Sequence, residues 1–356
     1  MKILIAYASD MPFDNPFVRT LKKGLESAGC DVNWGLGEFW RNSSKYDVVH
    51  IHWPDSLFPN WSPTELEVLF LEQHLQEIRK HAKVVYTRHN EFPHYSQNPN
   101  RKKCYEIVER NADAIVHMGN YGLEEFRETL RNDHVEHFVI PHHIYNNEIS
   151  NSITREEARG KLKIKLNKFV VLTFGAFRNA DEVSMVLFGF RKWRLKNKYL
   201  LAPLLGRIVI DERKNKHFLG HLENELRLFK LLTDGIHPGK DFIPDDMVES
   251  YFAAADVVLI QRLHILNSGN VSMAFYFKRP VVGPDTGNTG ELLRSTGNFV
   301  FDPFTTASLP GMLDEAFRAA GSSVGGNNYQ YAITNLKVAQ IAEKYLDVYQ
   351  AVLGET

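Results

Sequence analysis

Cysteine is nearly absent: Cys30 and Cys104 are the only two in 356 residues. That excludes a disulfide framework and a zinc site built on cysteine, and it fits reduced thiols in a cytoplasmic protein. Charge of one sign is also lacking. Lys and Arg total 42 against 43 Asp and Glu, a formal charge of −1, so a general nucleic-acid binder and a polybasic membrane protein are both disfavoured. No apolar run approaches the roughly eighteen residues of a membrane span. The opening stretch Ile3–Ala8 is too short for a signal sequence and reads as a strand. Internal repeats and low-complexity tracts are missing too. No G-x-G-x-x-G follows the first strand; Ala8-Ser9-Asp10-Met11-Pro12 stands there instead, so a dinucleotide-dependent dehydrogenase is the least supported class.

What is present is globular. Hydrophobic residues at 44% and charged residues at 24% exclude global disorder, and the length predicts two domains. Short runs rich in Val and Ile recur at Lys2–Ala8, Asp47–Trp53, Lys83–His89, Ala112–Met118 and His137–Pro141. Helical patterns lie between them, at Pro16–Ala28, Thr64–His81, Arg101–Asn111 and Tyr121–Arg131. Continuously apolar strands at this spacing predict a parallel sheet covered on both faces. Tyr145–Lys168 is polar and reads as a linker running into a short helix, Thr154–Leu162. A second series follows, with strands at Phe169–Ala176, Leu200–Leu205, Asp256–Gln261, Pro280–Pro284 and Asn298–Asp302. Its predicted helices are Ala180–Lys196, Asp245–Ala255, Ser268–Phe277, Ala307–Ala319 and Asn328–Leu353, the last long enough to cross back to the first domain. The expected division is 1–146, 147–335 and a returning helix 336–356. Two doubly wound α/β domains would face a cleft at the carboxyl ends of their strands, where ligands bind in such sheets.

The most informative segment is Tyr251–Glu291. A buried strand runs into Asn267-Ser268-Gly269-Asn270. Asn and Ser are strong N-caps, and a helix N-terminus suits a phosphate. Arg262 and His264 stand just upstream, and a Gly-rich turn, Gly283–Gly290, ends at Glu291. A strand, cap and helix with no ligand would read the same way. Histidine is the other feature: eleven of the 15 precede residue 151. His50 and His52 alternate and share a strand face. His89, Asn90 and Glu91 follow a strand end, and His94, His117 and the pair His142-His143 close similar positions. A histidine at a strand end is more often structural, which is the expected reading of His50 and His117. Trp53, Phe92 and Tyr95 could form a flat aromatic binding surface or a core edge. His50 and His52 with His142 and His143 could offer zinc ligands, but no HExxH or Cys/His spacing accompanies them. Asp113 and Asp245-Asp246 form no Asp-X-Asp motif, so no metal is expected.

Several segments together resemble the group 1 glycosyltransferases, whose two-domain architecture is the GT-B fold. These are Tyr251–Glu291, the strand VVLTFGAFRN beginning at Val170, Asp47–Pro54 (DVVHIHWP), Val84–Pro93 (VVYTRHNEFP) and Val139–His142. The resemblance spans nearly the whole chain. It is closest to a subgroup with LNSGN and GPDTGNTGE segments (from Leu266 and Gly283) associated with bacterial surface-polysaccharide synthesis. Two positions where the family carries Glu hold Ile265 and Met273, and its Lys shortly after Arg178 is replaced by Asn179-Ala180-Asp181-Glu182.

The resemblance implies transfer of a hexose-type sugar from a UDP- or GDP-sugar to a glycan or lipid-linked acceptor. It implies no resident cofactor or metal, and peripheral contact with the inner face of a membrane. Arg178, Arg262, Ser268, Gly269 and Asn270 are then the diphosphate candidates, Asn267 a further donor-binding residue and Glu291 a ribose ligand. His89 and His52 fall at the reacting centre, with Glu91 or Asp55 as general base if configuration inverts. The lost Glu pair leaves stereochemistry open, with retention the family habit. It also motivates a catalytically silent glycan-binding or scaffold protein of the same fold; a UDP-sugar epimerase is a third class. Charge divides along the same line: residues 1–150 carry 16 Lys and Arg against 21 Asp and Glu, and the remainder 26 against 22. A basic second half suits a diphosphate, and an acidic, His-rich first half suits a hydroxyl.

Overall fold

The computed structural model describes residues 1–7, 15–58, 62–91, 98–129, 135–210, 218–305 and 307–354. The chain divides into two compact units, Met1–Tyr145 with Asn335–Thr356, and Asn146–Thr334.

In the first unit six parallel strands form one sheet: β1 Lys2–Ala6, β2 Asp31–Trp34, β3 Val48–Ile51, β4 Lys83–Arg88, β5 Ala114–His117 and β6 Glu136–Val139, in the order β2-β1-β3-β4-β5-β6. Alternation along β1 sends Ile3 and Ile5 to one face, and Leu4 and Ala6 to the other. One face packs on Leu71, Leu75 and Val108, the other on Phe17, Leu21, Tyr345 and Tyr349. Burying a Leu or Ile stabilises by about 1.5–3 kcal/mol, so both faces must be apolar, and the strands read accordingly. Asn15 caps the helix Pro16–Ser27 by accepting from the Phe17 N–H, with Pro16 in the first turn. This start sets Phe17 beneath the carboxyl ends of the strands. The helix Val338–Leu353 packs across Pro16–Ser27 at Gly24, where a Cβ would lie 2.7 Å from Val338 Cγ1.

The second unit holds β7 Phe169–Leu172, β8 Lys198–Ala202, β9 Ile236–Pro238, β10 Val257–Leu259, β11 Val281–Pro284 and β12 Phe299–Phe301, all parallel, in the order β12-β11-β10-β7-β8-β9. Read from its far edge this is the nucleotide-binding order 3-2-1-4-5-6. Thr154 builds a capping box with Glu157 and opens the helix Arg155–Lys161. Inside that helix Arg159 is wholly buried. It donates to the carbonyls of Ala254, Leu166 and Lys168 and pairs with Asp256 at 2.6 Å. Asp256 also accepts from the Val170 N–H. The Asp at the head of the Tyr251–Glu291 segment thus pins the amino ends of β7 and β10 to the linker helix.

Several elements differ from the sequence reading. The expected helix Asn328–Leu353 is two, Val324–Asn335 and Val338–Leu353. The chain breaks at Leu336, whose carbonyl accepts from the Ile144 N–H at 2.8 Å, and Lys337 is extended. The β8 strand starts at Lys198 and stops before Pro203, which has no N–H to give a ladder. β2, β9 and the helix Phe218–Thr233 had no counterpart in the sequence reading.

Candidate functional site

The second unit's strand order reverses between β7 and β10, and ligands in such sheets sit in the crevice at that point. Phe174-Gly175-Ala176-Phe177-Arg178 leave β7, and Gln261-Arg262 follow β10. Gln261 Nε2 donates to the carbonyls of Phe174 and Gly175, both at 3.0 Å, and Asn270 Nδ2 donates to Phe174 at 2.7 Å. Asn270 therefore shapes the crevice wall with its side chain. Ser268 is the N-cap of Gly269–Tyr276, yet its side chain makes no capping hydrogen bond. The first-turn N–H groups of Gly269 and Asn270 gain no acceptor from it, the arrangement a phosphate exploits.

Glu182 organises the cations. It is 2% exposed, and its Oε2 accepts from the Arg178 N–H at 2.7 Å and pairs with Arg262 Nη1 at 2.8 Å. Asn179 caps the helix Ala180–Lys192 and receives the Glu182 N–H. Arg178 is half-buried and reaches the His264 carbonyl at 3.4 Å. Arg262, expected as a diphosphate ligand in its own right, thus has much of its charge answered by Glu182. Removing its guanidinium would strand a buried carboxylate, which costs about 3–5 kcal/mol. Arg178 is the cleaner cation to probe.

The Gly-rich turn closes on the Leu266–Asn270 loop. Asn288 Nδ2 donates to Asn267 Oδ1 at 2.8 Å, and the Thr289 N–H donates to the Leu266 carbonyl at 3.2 Å. Gly287, at φ +60°, lies so close that a Cβ would come within 2.3 Å of the Ile265 carbonyl oxygen. Glu291 stands in the second turn of Gly287–Ser295, close enough to Tyr331 that burial first and the Glu291 carboxylate second raise that phenol. Met273 is buried in the core and Ile265 half-buried.

In the first unit the order reverses between β1 and β3, and the histidines gather at those carboxyl ends. The His50 and His52 rings are 4.1 Å apart. Phe17 is the hub: His143 stacks on it at 4.4 Å, while His89 and His142 meet it edge-on at 4.8 Å. His52 Nδ1 and His89 Nε2 are hydrogen-bonded at 2.9 Å, and Trp53 stacks on His89 at 4.2 Å. His50 is structural. It joins Thr87 Oγ1 and Tyr349 Oη, both at 2.8 Å, and Thr87 continues to Tyr345 Oη, tying β3 and β4 to the last helix. His143 faces the carbonyls of Ile144 and Phe17. Burial drives every one of these rings toward the neutral form: His50 and His143 fall to about 3, His142 to about 4, and His52 and His89 well below the ordinary value. His52 Nε2 is buried with no hydrogen-bond partner among the described residues. Such an orphan costs about 1–3 kcal/mol and marks either strain or a site. His117 belongs to a separate pair with His137 at 3.1 Å.

Asp55 has another task than the base expected of it. It is buried and accepts from Arg101 through both Nε, at 2.9 Å, and Nη2, and from Tyr105 Oη at 3.1 Å. Both of its oxygens are taken up by these donors. Asp55→Asn should cost about 2 kcal/mol, the weight of hydrogen bonds to a charged group, read as a lower urea midpoint. Glu91 is exposed. Phe92, His94, Tyr95, His134 and the segment Ala8–Pro12 lie outside the described residues. Among the described residues no group of three or more His, Cys, Asp or Glu is placed to hold a metal ion, and no helix is long and apolar enough to cross a membrane.

No family model matches the sequence, and no curated protein matches it. Solved structures match over the full length. Sucrose-phosphate synthase from Thermosynechococcus elongatus gives a TM-score of 0.73 at 14% identity, covering 100% of this chain and 99% of that one. HepE from Anabaena, in complex with UDP and glucose, gives 0.71 at 15% identity over 99% and 100%. α,α-Trehalose 6-phosphate synthase from Burkholderia multivorans gives 0.65 at 10% identity over 99% and 97%. The fold is GT-B. Its two six-stranded parallel sheets are the doubly wound halves expected from the resemblance.

Glu182 and Gln261 were missed in the sequence. Glu182 was visible only as the residue filling the gap left by an expected Lys. Its partner Arg262 lies 80 positions away, and no local pattern links them.

Proposed function

We propose that this chain is a glycosyltransferase moving a hexose-type sugar from a UDP-sugar to a hydroxyl of a glycan or lipid-linked acceptor, without a metal. The carrying observation is the β7/β10 crevice. There Arg178, the Arg262–Glu182 pair and the open Ser268 cap converge in a fold whose relative HepE was crystallised with UDP, with UDP-glucose and with UDP and glucose. In the reaction the acceptor oxygen bonds the anomeric carbon as the bond to the β-phosphate oxygen breaks. The acceptor proton leaves with a base, and charge grows on the diphosphate. Arg178 and the first-turn amides of Gly269 and Asn270 would stabilise that charge, the kind of preorganised electrostatics worth several kcal/mol in a transition state. Asn267 and Glu291 would serve the sugar and ribose. In the first unit His89 and the orphan nitrogen of His52 support placing the acceptor there. Both rings are neutral, so they would orient hydroxyls and not hold charge. Glu91 is then the carboxylate left to act as base if configuration inverts. A lipid-linked acceptor would bring the enzyme to the inner face of a membrane in surface-polysaccharide synthesis.

The experiment is a panel of UDP- and GDP-sugars, with nucleotide release and product measured with and without acceptor. UDP-hexose turnover that needs an acceptor is expected, and His89→Ala should lower kcat well beyond any change in UDP affinity. The buried Met273 and the neutralised Arg262 favour one second reading, a silent binding protein. It predicts UDP binding with no turnover at all. Product formed without acceptor would instead indicate an epimerase.

A further inference from the structure

The helix Phe218–Thr233 has an apolar stripe on the wrong side. Leu219, Leu222, Leu226 and Phe229 follow at spacings of three and four, so they share one face. They are 72%, 46%, 61% and 67% exposed. The opposite face does the packing: Leu231 is buried and Leu228 lies against the unit's core. A contiguous run of this kind is rare on a soluble surface without a partner.

At the helix's C-terminal end Lys230, Leu232 and Thr233 line an open hollow of about 960 Å³ at the amino ends of β7, β8 and β9. This is the sheet edge opposite the Gln261–Arg262 crevice. Its lining is basic. Lys198 is tied to the carbonyls of Phe190 and Trp193, and Arg191 to Asp234 at 2.7 Å. Lys163, Lys165, Lys168, Lys196 and Lys230 remain, none in an ion pair among the described residues. Along the rest of the helix Glu223 and Glu225 stand against Arg227 alone, so the cationic excess sits at the hollow, where Lys230 joins the other lysines.

Exposed Leu and Phe beside unpaired lysines are the two halves of interfacial binding: apolar side chains enter the headgroup boundary while ammonium groups meet lipid phosphates. We propose that the second unit docks on an anionic phospholipid surface, with Leu219, Leu222, Leu226 and Phe229 inserted and the five lysines on the headgroups. This docking is independent of the reaction proposed above, because it uses the opposite sheet edge and needs neither donor nor acceptor.

The test is co-sedimentation of the full chain with vesicles of phosphatidylcholine, or of phosphatidylcholine mixed with phosphatidylglycerol. Wild type should partition onto the anionic vesicles and stay off the neutral ones. Each of Lys165→Gln and Lys196→Gln should weaken partitioning about fivefold. Leu226→Ser with Phe229→Ser should weaken it by about tenfold or more at unchanged charge. All four positions are exposed, so an unchanged melting curve is expected and checks that the variants fold. Wild type left in the supernatant, or partitioning indifferent to both sets of substitutions, would overturn the proposal. So would a solution dimer that Leu226→Ser dissolves, which would assign the stripe to a second copy. The vesicles carry no sugar or nucleotide, so failure here leaves the UDP-sugar reading standing.

Discussion

Gly287→Ala is expected to lose about 3 kcal/mol of stability and about a hundredfold in turnover. The backbone there is at φ +60°, where an L side chain is strained, and the new Cβ would sit 2.3 Å from the Ile265 carbonyl oxygen and 2.8 Å from Leu266 Cα. Those are backbone atoms, with no flexible end to swing away. The neighbouring segment must move, and it is the one carrying Asn267 and the Ser268 cap. The urea midpoint reports the first loss; UDP-sugar turnover at saturating donor reports the second. A variant equal to wild type in both would mean the turn does not hold the Leu266–Asn270 loop.

Acidification should unfold the first unit early. His50, His52, His89, His142 and His143 are all lowered by burial, so the native state takes up their protons only well below the usual 6.5. The unfolded chain takes them up near 6.5. The native state therefore binds fewer protons between those values. The stabilisation is complete above pH 6.5 and lost as pH falls. Glu109 works the other way with a single proton, because burial raises its carboxyl to about 7. His117, which burial also lowers to about 3, adds a further proton, so a net uptake of about five protons on unfolding corresponds to about 7 kcal/mol per pH unit, which exhausts an ordinary domain's stability within one or two units below 6.5. Urea midpoints measured from pH 7.5 to 5 should fall steeply below 6.5. A flat profile to pH 5 would show that the rings are not held neutral.

Much of this was legible in the chain. β1, β3, β4, β5, β7 and β11 announce themselves because both faces of a parallel sheet are buried, so Val and Ile run unbroken. The alternation of His50 and His52 fixes their shared face for the same reason. What escaped lies in pairings across long separations. Asp55 reads as a candidate base until Arg101, 46 residues on, is seen to clamp it. Arg262 reads as a free cation until Glu182 answers it. The last helix reads as one until Leu336 gives its carbonyl to Ile144. In each case the local pattern is satisfied by either outcome, and a tertiary partner decides.

The central claim is that the β7/β10 crevice binds a UDP-sugar, and calorimetric titration of UDP into wild type and Arg178→Ala tests it most directly. The account predicts saturable one-to-one binding to wild type, weakened about tenfold or more when the guanidinium is removed, since hydrogen bonds to charged groups are worth about 1.5–3 kcal/mol. No heat with wild type, or the same affinity in the variant, would contradict it.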